Sequence, residues 1–234
     1  MPHTTNDYYN RNASAFANDT VGLDLSSFYD RFLKSLPPNA AVLDAGCGAG
    51  RDAKNFLSLG LSVTAFDSAP EMVRCATEYS GLPVRLARFE DLSFRNEFDG
   101  IWACASLLHI PSQSLPDVLR RLFRALKPHG LLYCSFKYGM FEGLRDGRYF
   151  TDMDEVRLSQ LVAEVEFRIE DLWVTDDLRQ GRGHEKWLNA LLRAALALFI
   201  FAGTVGSGSP LVGSVHDSWV HEEVRNDLVH RMIQ

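Results

Sequence analysis

At 234 residues, with 46% apolar and 23% charged residues, the chain is long enough for one sizeable core and too apolar for a charged disordered chain. A net charge of -6 argues against a long phosphate backbone as partner, so no nucleic acid is expected. The four cysteines, Cys47, Cys75, Cys104 and Cys134, form no CxxC pair; reduced thiols in a cytoplasmic protein, without a metal site, are the simplest reading.

Residues 7–33 read as two helical pieces broken around Asn18-Asp19-Thr20, and no basic start with an apolar run precedes them, so no secretory signal is expected. From residue 40 onward, short apolar runs alternate with helical patterns. Residues 41–45 form a strand ending at a glycine cluster, and Ala53, Phe56 and Leu57 then follow helical spacing closed by Gly60. Residues 61–66 are the next strand, ending on Asp67; Pro70 opens a helix continued by Met72, Val73 and Ala76. A third strand over 84–87 runs into a polar turn at Glu90-Asp91, and 98–105 is a fourth, buried strand. Leu115, Val118, Leu119, Leu122, Phe123 and Leu126 mark the clearest amphipathic helix, stopped by Lys127-Pro128-His129-Gly130 before a fifth strand at 131–136. Residues 152–162 read as a helix, and 167–174 and 187–192 as two further strands.

Strands alternating with helices of this length imply βαβ units, hence a mostly parallel sheet covered by helices on both faces. The apolar stretch 187–206 is interrupted by Asn189 and Arg193, so no membrane span is expected. The tail 195–234 has no assigned role, although 215–233 has helical amphipathic spacing. Oligomeric state is not readable.

The chemistry concentrates in Asp44-Ala45-Gly46-Cys47-Gly48-Ala49-Gly50-Arg51. Glycines between a strand and a helix let a ligand approach the backbone, and the helix N-terminus offers free N–H groups. A dinucleotide fingerprint needs a third glycine where Arg51 stands, which disfavours a nicotinamide cofactor. The variant suits a ligand without a diphosphate, its carboxylate facing the helix and its amine answered by Asp44; a ligand-free tight turn is the alternative. Asp67, at the end of the second strand, can accept from two ribose hydroxyls or cap the next helix, a role Ser68 can also fill. Glu90 or Asp91 can accept from an exocyclic amine or form a solvated turn. Three acidic sites at successive strand ends describe an amino acid, a ribose and an adenine.

These motifs, with Phe89-Glu-Asp-Leu92, Phe98-Asp-Gly-Ile-Trp-Ala103 and Leu126-Lys-Pro-His-Gly-Leu-Leu132, resemble in order and spacing those of class I S-adenosylmethionine-dependent methyltransferases. Within that family the chain looks like the small bacterial enzymes related to the tellurite-resistance and ubiquinone-biosynthesis methyltransferases. The match is dense over 38–137. It implies a Rossmann-like α/β fold with a seven-stranded, mostly parallel sheet whose last strand is antiparallel. It also implies a helical lid (1–37), a cofactor-binding domain (38–194) and S-adenosylmethionine as cofactor. The cofactor contacts it implies come from Tyr9, Asp44, Gly46, Gly48, Gly50, Arg51, Asp67, Ser68, Met72, Glu90, Asp91, Leu92 and Ala105. Arg51 would pair with the methionine carboxylate. Tyr8 and Tyr9 resemble an aromatic lid, with core packing as the alternative. The implied reaction is methyl transfer to a small-molecule acceptor, with a non-catalytic binding or sensing module as the rival. His109, following the fourth strand, is the candidate base, or else it orients its loop. Lys137, Tyr138, Arg148 and Tyr149 would shape the acceptor pocket; the loop 145–148 either holds an anionic acceptor or is solvated. His184, Glu185 and Lys186 are expected to face solvent.

Overall fold

A computed structural model of the chain describes residues 4–194. The tail 195–234, with the helix expected at 215–233 and the second half of the apolar stretch, lies outside the described residues. No described helix is long and apolar enough to cross a membrane.

The chain opens with α1 (Thr4–Thr20) and α2 (Ser26–Leu33); α1 runs through Asn18-Asp19-Thr20, and the break falls later, at Val-Gly-Leu-Asp-Leu over 21–25. Then follow β1 (Ala41–Ala45), α3 (Arg51–Ser58), β2 (Ser62–Asp67), α4 (Pro70–Ser80), β3 (Arg85–Leu86) and β4 (Phe98–Ala103). A short helical turn, Phe89–Asp91, joins the last two strands. The second half comprises α5 (Leu115–Ala125), β5 (Leu126–Lys137), a hairpin of β6 (Glu142–Arg145) and β7 (Arg148–Thr151), α6 (Glu155–Ala163), β8 (Phe167–Asp176) and β9 (Lys186–Ala194).

Seven strands form one sheet in the order β3-β2-β1-β4-β5-β9-β8. β1 to β5 pair in parallel, and β9 is antiparallel to both β5 and β8. This is the class I methyltransferase arrangement that the motifs imply. Side chains alternate across the strands, so each central strand serves two cores and reads as a continuous apolar run. Leu43, Ile101 and Leu132 face α5 and α6, whereas Val42, Trp102 and Tyr133 face α2 and α3. Phe28, Tyr29 and Phe32 of α2 are buried in that second core, so α2 packs as part of the core.

Two local expectations change. Lys127-Pro128-His129-Gly130 does not stop the chain before a strand; β5 already starts at Leu126, where it pairs with Phe98 before the register shifts. His129 (φ 63°) takes the left-handed turn that absorbs the irregularity. Residues 145–148 are the tip of the β6–β7 hairpin rather than a loop: Asp146 (φ 51°) and Gly147 (φ 75°) both have the positive φ of a type I′ turn.

Candidate active site

The carboxyl ends of β1, β2 and β4 meet around the glycine loop. The N–H groups of Gly46 and Cys47 both donate to the Phe66 carbonyl at 3.0 Å, tying the loop to the end of β2. Gly46 has φ 74°, and a Cβ there would stand 2.5 Å from the Ser106 Cβ, so only glycine fits the turn. Asp67 is drawn into the same cradle, accepting from Gly48 N and Ala69 N at 2.9 Å each. Burial pushes its carboxyl up to about 6, although these backbone N–H groups pull the other way.

Arg51 opens α3 beside this loop. Its guanidinium forks onto Asp52, Nε to Oδ1 at 2.6 Å and Nη2 to Oδ2 at 2.9 Å, and Nη1 donates to the Thr20 carbonyl at 3.3 Å. Tyr29 Oη and Trp102 Nε1 also donate to Asp52, at 2.5 and 2.9 Å. Burial raises the Asp52 carboxyl, but the Arg51 charge and these four donors outweigh it and hold Asp52 ionised. Asp44 takes the opposite course. It is 1% exposed, its Oδ2 has no hydrogen-bond partner among the described residues, and burial beside the Asp52 charge pushes it well above the carboxylate range. Asp44 therefore lies buried under the loop and does not line the cavity.

At the far side of the glycine loop stands His109, on the turn after β4. Its Nδ1 lies 2.6 Å from the Tyr149 carbonyl, which can only accept, so Nδ1 carries the proton and Nε2 the lone pair. The Tyr9 hydroxyl donates to that Nε2 at 2.8 Å. Burial lowers the imidazole to about 4, helped by the Arg148 charge, so His109 is a neutral base at physiological pH. α1 is held over the site at several points: Thr5 Oγ1 accepts from Tyr149 N, Asn6 bonds Ser68, and Asn10 accepts from Glu71 N. Phe16 of the same helix lies over Gly48.

One cavity of about 1210 Å³ joins these groups. That exceeds the usual volume of a single small-ligand site and leaves room for two molecules side by side. Tyr9, Gly46, Gly48, Arg51, Asp67, Ser68, Met72, Glu90, Ala105 and His109 line it. Asp44, Gly50, Asp91 and Leu92 do not. Gly50 serves helix packing, because a Cβ there would stand 2.9 Å from the Ala76 Cα of α4. Leu92 belongs to the core and Asp91 is exposed, so Glu90 is the acid of that turn that reaches the cavity. Glu185 is not a solvent-facing charge: with Asp177 it clasps the buried Lys137 ammonium at the end of β5. Sequence reasoning missed Phe16, Ser106 and Ser135. Ser106 Oγ donates to the Ala45 carbonyl at 2.7 Å, and Ser135 Oγ accepts from Ala105 N at 2.8 Å. A serine on its own carries no signal for such a contact.

Residues 42–130 match the family model of a methyltransferase domain. The ubiquinone biosynthesis O-methyltransferase of Xanthomonas axonopodis pv. citri is 37% identical over 106 residues, which cover 42% of this chain and 44% of that protein. Over residues 42–130 the chain carries a methyltransferase domain, and its sheet has the class I arrangement. Its match spans less than half the length of the curated relatives. Among solved structures, the methyltransferase domain and its flanks superpose on the Burkholderia thailandensis 1,6-didemethyltoxoflavin-N1-methyltransferase with a TM-score of 0.64 at 23% identity, covering 81% of this chain and 84% of that one. The cyclase SpnF superposes with a TM-score of 0.61 at 17% identity, covering 81% and 94%. At these identities the likeness is one of fold, and a methyltransferase fold can carry other chemistry.

The methyltransferase domain fits an amino-acid nucleoside on its own geometry. The cradle at Gly46 and Gly48 lets a ligand reach the backbone, and the half-buried Asp67 offers carboxylate oxygens where ribose hydroxyls would donate. Arg51 engages four N–H groups on Asp52, Thr20 and Cys104 Sγ, which leaves one Nη1 N–H of its five for a ligand carboxylate.

Proposed function

We propose that the chain transfers a methyl group from S-adenosylmethionine to a small-molecule acceptor. The observation that carries this reading is the joining, in one cavity, of the glycine-loop cradle and a neutral imidazole aimed across it. Asp67 would hold the ribose hydroxyls, Glu90 the adenine amine and Arg51 the carboxylate, with Gly46, Gly48, Ser68, Met72 and Ala105 supplying backbone and walls. When bound, the cofactor supplies an already activated sulfonium methyl. The chain's own contribution is then to position the acceptor, exclude water and accept a proton.

His109 is suited to the last task. The Tyr149 carbonyl fixes its tautomer, burial keeps it unprotonated, and Nε2 faces α1. The Tyr9 hydroxyl occupies that lone pair, so an acceptor hydroxyl or amine must take its place, with α1 closing as a lid once the cavity is filled. The domain division into this lid, a core through residue 194 and a tail forms part of the proposal. The four free cysteines favour a reducing compartment such as the cytoplasm.

Calorimetric titration of the full chain with S-adenosylmethionine and S-adenosylhomocysteine tests the reading, with Asp67→Ala as control. Micromolar binding that disappears in the variant supports it; failure of both ligands to bind overturns it. With an acceptor in hand, His109→Ala should lower turnover at least about tenfold while cofactor affinity stays within about twofold. Unaltered turnover removes His109 from the reaction and favours a role in loop orientation.

A further inference from the structure

The cavity is lined by many cations, and almost all are already neutralised. Arg51 holds Asp52 at 2.6 Å, Lys137 holds Asp177 at 2.9 Å, Arg145 holds Asp152 at 2.9 Å and Arg179 holds Asp177 at 2.5 Å. The outer Arg88, Arg182 and Lys186 also have carboxylates within 4 Å. Arg148 differs: among the described residues it has no carboxylate partner, and its Nε is buried without any hydrogen-bond partner. Its guanidinium is instead held between aromatic rings, 4.4 Å from the Tyr8 centroid and 5.0 Å from that of Phe150. Besides these rings the guanidinium meets the Tyr9 hydroxyl, so an anion arriving there finds a cation without a counter-charge.

Its position links this cation to the proton acceptor. Arg148 and Tyr149 are consecutive in β7; the Tyr149 carbonyl orients His109, and the Arg148 charge acts on both His109 and Tyr9. The pairing of β7 with β6 around Asp146-Gly147 holds this strand in place, so the fork and the carbonyl that orients the base sit on one strand. Leu108, Ile110 and Phe150 add an apolar wall.

We propose that the methyl acceptor is a flat carboxylate-bearing molecule, its carboxylate held by the Arg148 guanidinium and its nucleophilic atom thereby set against His109. Arginine suits the task because its planar fork matches a carboxylate through two parallel N–H···O bonds. The inference rests on the reading of the cavity as a methyl-transfer site, and its test separates the two.

The full chain saturated with S-adenosylhomocysteine is titrated with benzoate and with its neutral isostere benzamide, followed by ligand-observed NMR. The wild type should bind benzoate at least about tenfold more tightly than benzamide. Arg148→Gln should abolish the preference, Arg148→Lys should retain part of it, and affinity for S-adenosylhomocysteine should stay within about twofold in both. Equal binding of the two probes to the wild type, no benzoate binding at all, or a preference that survives in Arg148→Gln overturns the proposal. If S-adenosylhomocysteine itself does not bind, the methyl-transfer reading fails alone. The same benzoate and benzamide comparison on the free chain then decides whether Arg148 is a carboxylate site.

Discussion

At the scale of single residues, burial decides which acids and bases are charged. Asp67 and Asp44 stand at the ends of adjacent strands, yet Asp67 reaches the cavity and keeps three backbone N–H donors, whereas Asp44 is sealed below the loop. Only the ionised Asp67 can accept from two ribose hydroxyls. With its carboxyl at about 6 in the free protein, cofactor affinity should be complete above that pH and lost as pH falls through it. At pH 5 about a tenth of the carboxylate remains, so the dissociation constant for S-adenosylhomocysteine should be about tenfold higher than at pH 7.5. Calorimetry across that range checks this, and a pH-independent affinity would mean that Asp67 is not the ribose acceptor. The sign for His109 is different. Lowered to about 4, it is already neutral well below pH 6, so with cofactor saturating, turnover should show no histidine inflection near 6.5. The sequence marked His109 by its place after a strand. It did not carry the Tyr149 carbonyl and the Tyr9 hydroxyl that set the tautomer, because both come from elements distant in the chain.

Elements are where sequence patterns read best and where the exceptions are instructive. Strand and helix periodicity located the sheet strands and helices from α2 to β9, because each buries one stripe or two faces against a common core. The β6–β7 hairpin escaped because its strands are short, although Asp146-Gly147 is a strong signal for its turn. Gly50 illustrates how one residue joins two elements: α3 approaches α4 so closely that a Cβ would stand 2.9 Å from Ala76 Cα. At Gly81, φ is 78° but nothing lies within 4 Å. Gly81→Ala should therefore cost only the left-handed strain, about 1–2 kcal/mol, and Gly50→Ala that strain plus about 1–3 kcal/mol of overpacking. Equal losses in denaturant unfolding would show that the α3–α4 contact is not tight.

For the whole molecule, a buried polar knot ties α2, α3 and β4 together. Asp52 of α3 binds Arg51, Tyr29 of α2 and Trp102 of β4, beneath the cavity and inside the second core. Removing its carboxylate leaves Arg51 charged with its buried partner gone. Asp52→Ala should cost about 3–5 kcal/mol, measurable as a drop in the chemical-denaturation midpoint. A loss below about 1 kcal/mol would show that Arg51 finds another partner. The amino-acid sequence by itself determined the α/β class, the order of strands and helices, the glycine turn and the acids at successive strand ends. Those features follow from local periodicity and from backbone conformations open only to glycine. Which of those acids meet the cavity, which arginine lacks a counter-charge and which nitrogen of His109 is free were decided only by tertiary structure. Each depends on desolvation and on partners brought together from far along the chain, and neither leaves a mark in a local pattern.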